Sequence, residues 1–457
     1  MSDTEKAQTG RPMLAAISLG CAKNRIDTEE VLGYLAGKGF ILTDDYERAD
    51  VIFVNTCSFI DQAQQESVNT LLELTEQNIP GGWERPRIVA AGCLVEIYGD
   101  KILEELPFVD GAIGVHSYFK LDRFIDDLFK GKRPVFKEKA PKKYSTLASR
   151  VLTTPVHSAN LKIAEGCSNR CHYCLIPTIR GPYRSRNPED IVDEARYLAK
   201  LGAREINIIA QDTTAYGMDC DEYPDLAGLL KKILKTSTGF RLRIMYTYPS
   251  RITDDLIDLI ASEARICKYL DIPIQHCSSR VLKKMGRHYN KQDLEELFSG
   301  LHRKIPGLAM RTTLMIGYPG ERSIDFHELL DFVAHYPFES LGAFTYSPQK
   351  NSPAGDAGAQ VSKRISRKRY RQLMLKQRSI ARGLNEKKIG ERINVLVDGA
   401  LTEGGEWYCG KSEFQAPEVD GATFIRSKQP LAPGSMVSVR VRAVSPYNFI
   451  GINPKKL

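Results

Sequence analysis

No stretch of this 457-residue chain reaches the roughly 18 consecutive apolar residues that cross a bilayer, and the mean hydropathy is −0.30. No membrane association is therefore expected. The first dozen residues, MSDTEKAQTGRP, hold no apolar core ahead of a small-residue cleavage site, so export is not expected and the cytoplasm is the expected location. A disulfide scaffold is also absent from the pattern, because ten cysteines in a chain of this length without a leader belong to a reduced compartment. Acidic compensation is missing in one place only. Residues 361–388 carry eleven Lys and Arg against the single Glu386, while the whole chain has a formal charge of +8. One local basic element makes the chain look basic, and the remainder is slightly acidic.

What is present is alternation. Residues 13–130 interleave short apolar runs (13–19, 51–55, 87–91, 111–115) with helical periodicity over 25–38 and 60–77, which predicts an open parallel α/β sheet domain. Residues 131–158 are polar, with three prolines and several lysines, and read as a linker. From 159 to 360 six further strand candidates (161–166, 205–211, 241–246, 268–272, 311–316, 342–346) alternate with amphipathic helices such as 188–201 and 290–303. Six βα units are too few for a closed eight-fold barrel, so a partial (β/α)6 barrel is expected. The basic segment 361–389 contains no proline, and Leu373, Ile380 and Leu384 have near-helical spacing. A connecting helix is expected there. Residues 390–457 turn all-β with glycine punctuation, which predicts a small five-stranded antiparallel β-barrel. The class is α/β with this barrel appended.

Chemistry concentrates in the cysteines. EGCSNRCHYCLIP at 165–177 places Cys167, Cys171 and Cys174 in a C-x3-C-x2-C loop at the end of a strand. A structural zinc site wants four ligands, usually as two close pairs, and here there are three with only His172 adjacent. Three thiolates on a four-iron cluster leave one iron open for an exogenous ligand, whereas electron-transfer clusters fill all four positions. An open-iron cluster, zinc and unligated thiols are the three readings of the spacing. Gln211-Asp212-Thr213-Thr214 after the second strand of this region, and Gly317-Tyr318-Pro319-Gly320-Glu321 after the fifth, fit a pocket at the strand ends or ordinary βα turns. Arg180, Arg184 and Arg186 could pair with carboxylates, but arginines beside a loop are more often solvated.

Cys21, Cys57 and Cys93 are separated by 36 residues each, and each follows a strand candidate. In a parallel sheet this brings all three thiols to one carboxyl edge as a second three-thiolate site, with buried structural cysteines as the plainer reading. Cys220, Cys267, Cys277 and Cys409 look like solitary buried thiols.

The C-x3-C-x2-C loop, with Tyr173 just before its last cysteine, resembles the signature of the radical S-adenosylmethionine (SAM) superfamily. That resemblance implies that SAM chelates the open iron and yields a 5′-deoxyadenosyl radical, with Tyr173, Gln211, Gly317 and Glu321 as cofactor-binding candidates. The three-cysteine N-terminal domain, this central domain and the terminal barrel together resemble the methylthiotransferases, whose barrel is called TRAM. The resemblance implies two [4Fe–4S] clusters, one on Cys167, Cys171 and Cys174 and one on Cys21, Cys57 and Cys93. It also implies replacement of C–H by C–S–CH3. Lys23-Asn24-Arg25 after Cys21, Asn55-Thr56-Cys57-Ser58-Phe59-Ile60 and IPTIRGPYRSR resemble the branch that modifies the β-carbon of an aspartate in a small-subunit ribosomal protein. Ala22 stands where that branch would have proline. A tRNA isopentenyl-adenosine methylthiotransferase is the alternative within the family, and a zinc-stabilised RNA-binding protein without turnover is the alternative outside it.

From 390 to 457 eight basic and seven acidic residues nearly cancel, which suits a protein surface better than phosphates. The basic segment 361–388 remains a candidate for ribosomal RNA contact. The expected partners are thus the small-subunit ribosomal protein and a flavodoxin-like or ferredoxin-like electron donor, with the enzyme a monomer. No catalytic acid or base is assigned beyond the cluster ligands, because the substrate carbon loses a hydrogen atom rather than a proton.

Overall fold

Strands that are apolar along their whole length pack only where both faces are covered, and the runs of the N-terminal part are of that kind. Val51–Thr56 is buried at all six positions. In the computed structural model, which describes residues 10–58, 60–75, 85–144, 146–147, 150–349, 352–402 and 404–453, the chain divides into two units. The first is Met1–Thr153 with Glu165–Arg170 and Cys174–Arg186, and the second is Thr154–Ala164 with Cys171–Tyr173 and Asn187–Leu457. Phe59, the end of the helix expected over 60–77, and residues 454–457 lie outside the described residues.

In the first unit six strands, β1 (Met13–Ser18), β2 (Ile41–Leu42), β3 (Val51–Thr56), β4 (Arg87–Gly92), β5 (Gly111–Ile113) and β6 (Val135–Phe136), form one sheet in the order β2-β1-β3-β4-β5-β6. Every pairing is parallel. Helices α1 (Ala22–Gly37), α2 (Asp61–Glu73), α3 (Cys93–Tyr98) and α4 (Ile176–Arg180) belong to the same unit. Alternate strand residues feed two cores. Leu14, Val51, Phe53 and Val89 meet Val31 and Leu35 of α1 on one face, and Ile52, Val54, Ile88 and Ala90 meet Leu71 of α2 and Leu94 of α3 on the other. Each such buried aliphatic side chain contributes about 1.5–3 kcal/mol.

The linker expected over 131–158 is only partly one. Val135–Phe136 adds a sixth strand beside β5, because its two apolar residues find an open parallel edge. Further on, Arg150 Nε donates to Glu29 Oε2 at 2.7 Å and the Thr153 amide to Glu29 Oε1 at 2.8 Å. Glu29 is buried in α1, so its carboxylate holds this stretch. Ser158 already begins the next strand.

In the second unit β7 (Ser158–Lys162), β8 (Glu205–Ile209), β9 (Arg241–Ile244), β10 (Ile266–Asp271), β11 (Ala309–Ile316) and β12 (Ser340–Thr345) pair in sequence order, all parallel, as an open sheet. Helix α5 (Pro188–Leu201) starts from an Asn187 cap with proline at its first position and ends at Gly202, φ +109°. Helix α6 (Lys291–Lys304) opens with an Asn290–Asp293 capping box. The basic segment forms α7 (Lys363–Glu386), whose buried stripe is Ser366, Arg369, Leu373, Gln377, Ala381 and Asn385. Of the residues expected to make its apolar face, only Leu373 is fully buried.

Strands β13 (Arg392–Ala400), β14 (Trp407–Ser412), β15 (Thr423–Arg426), β16 (Met436–Val444) and β17 (Phe449–Ile452) close a barrel in the order β13-β14-β15-β17-β16. Four pairings are antiparallel and β15–β17 is parallel, so the expected all-antiparallel barrel is amended. The reason is parity: a closed ring with an odd number of strands cannot alternate direction all the way round.

Arg243, fully buried on β9, fastens the barrel to the sheet. It donates to both oxygens of buried Glu205 at 3.0 Å, to the Glu413 carbonyl at 2.7 Å and to the Ser412 carbonyl at 3.1 Å. Burial alone would raise the Glu205 carboxyl, but the Arg243 and Arg241 guanidiniums overcome it and hold it at about 2, below its ordinary value of 4.5. The stabilisation from a depressed carboxyl is complete above the unfolded value and disappears as pH falls from about 4.5 through about 2. Glu205→Gln should cost about 3–5 kcal/mol near neutral pH, because it leaves Arg243 short of its counter-charge. Acid titration followed by circular dichroism should show the penalty shrinking from pH 4.5 towards 2, and a penalty independent of pH would contradict this account.

Candidate functional site

All strands of a parallel sheet end on the same edge, and β1, β3 and β4 are neighbours in the first unit. Cys21 follows β1 after Leu19-Gly20, Cys57 follows β3 directly, and Cys93 follows β4 as the first residue of α3. The three expected thiols therefore come to one edge. Cys21 is exposed, while Cys57 and Cys93 are buried. Close approach is built into the backbone. Gly20, φ +87°, leaves room that a Cβ would fill only 2.6 Å from Cys57 Cβ, and at Gly92, φ +89°, a Cβ would stand 2.1 Å from Asn55 Oδ1.

A polar frame that the sequence reading did not anticipate fixes this edge. Asn24, almost fully buried on α1, donates from Nδ2 to the Leu19 carbonyl at 2.9 Å and the Thr56 carbonyl at 3.0 Å, bridging the ends of β1 and β3. Asn55 Nδ2 donates back to the Asn24 carbonyl at 2.8 Å and to Thr28 Oγ1 at 2.9 Å. Ser67 of α2 accepts the Cys57 amide at 2.9 Å. Thr56 Oγ1 donates to the Ala91 carbonyl at 2.5 Å and accepts the Leu94 amide at 3.2 Å, joining β3 to the start of α3. The only sequence signal for this frame was the position of Asn24 and Asn55 beside cysteines.

Of the two readings of the arginines of IRGPYRSR, carboxylate pairing rather than solvation holds for Arg180, and Arg180, Arg184 and Arg186 are all buried. Arg180, at the end of α4, donates from Nη1 to Asp27 Oδ2 at 2.5 Å and Glu165 Oε2 at 3.3 Å, and from Nη2 to Asn24 Oδ1 at 2.6 Å and Cys93 Sγ at 3.3 Å. Desolvation opposes its charge, yet Asp27, Cys93 and Glu165 hold it firmly protonated. Burial pushes the Cys93 thiol up to about 12, with Arg180 opposing and the Cys21 and Cys57 thiols adding to the shift. A thiolate at Cys93 thus needs a cationic partner or a metal. Burial, with help from the Arg184 charge, brings His116 down to about 4, so this imidazole is neutral at pH 7.

Of the second expected trio, Cys167 and Cys174 lie in the first unit. The Cys167 amide donates to the Gly181 carbonyl at 3.1 Å, the Ile176 amide to Cys174 Sγ at 3.4 Å, and Leu175 and Ile179 pack with Cys93. Cys171, His172 and Tyr173 belong to the second unit. There Arg287 Nη1 lies 3.5 Å from both Cys171 Sγ and Tyr173 Oη, with its other nitrogens on the Pro273 carbonyl and Tyr289 Oη, each at 2.6 Å. None of these acceptors is a carboxylate. His172 Nδ1 sits 2.9 Å from the Lys284 carbonyl, a contact that fixes the ring without deciding whether it could ligate a metal.

Tyr173 meets Tyr318 edge-on, ring centroids 6.4 Å apart. Gln211 follows β8 at its carboxyl end. Gly317 and Glu321 also contact α7. The room left by Gly317 is taken by Ser366 of α7, 2.0 Å from where a Cβ would stand. Glu321 accepts the Gly317 amide at 2.7 Å and Arg369 Nη1 at 2.6 Å. These two residues tie the loop to α7. Gln275, missed by the sequence reading, has φ +66° after β10 and a buried Oε1 that meets no donor among the described residues. Cys267 and Cys277 are buried as expected, whereas Cys220 and Cys409 are only partly so.

Comparison with known proteins matches three family models: uncharacterized protein family UPF0004 over residues 13–114, the radical SAM superfamily over 161–333 and the TRAM domain over 389–452. A curated protein of Pelotomaculum thermopropionicum, "ribosomal protein uS12 methylthiotransferase RimO", is 41% identical over 438 residues, covering 96% of this chain and 98% of the relative. The chain belongs to the uS12 methylthiotransferase family. A second member, from Acetivibrio thermocellus, is 40% identical over 442 residues, 95% of this chain and 97% of that one. The radical SAM methyltransferase TsrM of Kitasatospora setae, solved with cobalamin and a [4Fe–4S] cluster, shares the fold at a TM-score of 0.56 and 15% identity, covering 76% of this chain and 77% of that one.

The residues present fit the iron–sulfur groups of this uS12 methylthiotransferase family. The donor set is all thiol, and in each unit a guanidinium lies against one of the cysteines, as suits an anionic group. Gly92→Ala should cost about 1–3 kcal/mol through its left-handed backbone, and more as Asn55 is displaced. The unfolding midpoint of the metal-free protein should fall and thiol labelling of Cys93 should speed up. Unchanged labelling would show that the edge tolerates the methyl group.

Proposed function

We propose that this chain replaces a C–H bond at the β-carbon of an aspartate in ribosomal protein uS12 by C–S–CH3. In this reading Cys167, Cys171 and Cys174 hold a [4Fe–4S] cluster that binds SAM, and Cys21, Cys57 and Cys93 hold a second. The observation that carries it is the arrival of Cys21, Cys57 and Cys93 at adjacent strand ends, in the same unit as Cys167 and Cys174. When bound, these groups supply hydrogen-atom abstraction and sulfur insertion, with SAM also giving the methyl group. The chain's own residues position and shield. Tyr173 and Arg287 flank Cys171, Arg287 offers its charge to an anionic group there, and Glu321 fixes the loop at Gly317. A flavodoxin-like or ferredoxin-like protein would supply electrons, and the enzyme would act as a cytoplasmic monomer.

Anaerobically reconstituted protein should carry about eight irons, falling to about four when either cysteine trio is replaced by alanine. Mass spectrometry of uS12 from a strain lacking this gene should show loss of one methylthio increment on an aspartate. Full iron without Cys21, Cys57 and Cys93, or an unchanged uS12, would refute the reading.

Ribosomal RNA is the second partner. Exposed Arg364, Lys368, Arg371 and Arg378 follow one another on α7 at spacings of four, three and seven residues, and none makes an ion pair among the described residues. Such a stripe suits a phosphate backbone. Binding of a small-subunit rRNA fragment should weaken linearly on a log–log salt plot, and each Arg→Gln change on the stripe should reduce the slope by about 0.7. An unchanged slope would assign the stripe to solvent.

A further inference from the structure

Arg180 does more than balance charge. A buried guanidinium needs an opposite charge, and Asp27 at 2.5 Å already supplies one. Glu165 adds a second carboxylate at 3.3 Å. Nevertheless Nη2 is aimed between Asn24 Oδ1, at 2.6 Å, and Cys93 Sγ, at 3.3 Å. Asn24 is also the residue that bridges the ends of β1 and β3 beside Cys21 and Cys57.

The chain position of Arg180 matters equally. It stands six residues after Cys174, at the end of the short helix whose Leu175 and Ile179 neighbours pack on Cys93. Its partner Glu165 stands two residues before Cys167. One side chain thus contacts a thiol of the first trio and is tied on both sides to the loop that carries two thiols of the other.

Resting on the cluster assignment above, we propose that Arg180 is a positioning residue that sets the reduction potential of the cluster held by Cys21, Cys57 and Cys93 and locks that cluster's cysteine edge to the signature loop. A hydrogen bond and a positive charge at a ligating sulfur favour the reduced, more negative cluster, so they raise its potential. The electron comes from the same external one-electron donor, and no bond to Arg180 is made or broken. Glu165 acts with the opposite sign, because its carboxylate disfavours added negative charge.

The test uses the full chain with Cys167, Cys171 and Cys174 replaced by alanine, so that one cluster remains, and reads its midpoint potential by electron paramagnetic resonance during a redox titration. Arg180→Gln should move the midpoint to more negative values, and Arg180→Lys, which keeps the charge but loses the fork, should move it less. Glu165→Gln should move it to more positive values. A merely structural role would not give shifts of opposite sign. A cluster with about four irons whose midpoint is the same in Arg180→Gln and its parent would overturn the role of Arg180 and leave the cluster assignment standing. A parent that takes up no iron would instead overturn the assignment of Cys21, Cys57 and Cys93, and this proposal with it. Should Arg180→Gln fail to hold iron, Arg180→Lys and Glu165→Gln decide: shifts in the same direction, or none, refute the proposal.

Discussion

Everything at the candidate site follows from strand direction. Because β1, β3 and β4 are adjacent and parallel, whatever follows each of them must emerge at one edge, and three cysteines far apart in sequence become neighbours without any specific attraction among them. Crossover connections give these strands one direction, and burial of Val51, Ile52, Phe53 and Val54 on both faces holds the central strand in place. The chemistry therefore rests on aliphatic packing several residues away from the thiols.

Much of this was legible beforehand, for physical reasons that differ by element. β3 stands out because a doubly covered strand is largely apolar, whereas β8 and β9 of the second sheet carry buried Glu205 and Arg243 among their apolar residues. The thiol edge could be read because parallel order turns equal spacing into proximity. The polar frame could not be read, because Asn24, Asn55 and Ser67 exchange hydrogen bonds across three elements and leave no periodic trace. Arg180 was misjudged for a related reason. A charged residue in a loop looks solvated until Asp27 and Glu165, distant in sequence, are found facing it.

The barrel and α7 illustrate the limits of composition. Net charge described the basic segment well, yet Arg369 is buried on Glu321 while the residues around it face solvent. Gly317 looked like an opening for a ligand, whereas its missing side chain admits Ser366. In both cases the residue also anchors a helix. Parity demands at least one parallel pair in a ring of five strands, but only the coordinates show that it is β15–β17.

That closed ring also decides how the C-terminal domain can meet another molecule. With β13 through β17 each paired on both sides, no open strand edge is left among the described residues of the barrel for an extended peptide to join. Trp407 and Met436 are exposed on the barrel strands and would be available to a partner. A partner is consequently read by the shape and polarity of its surface rather than by its backbone.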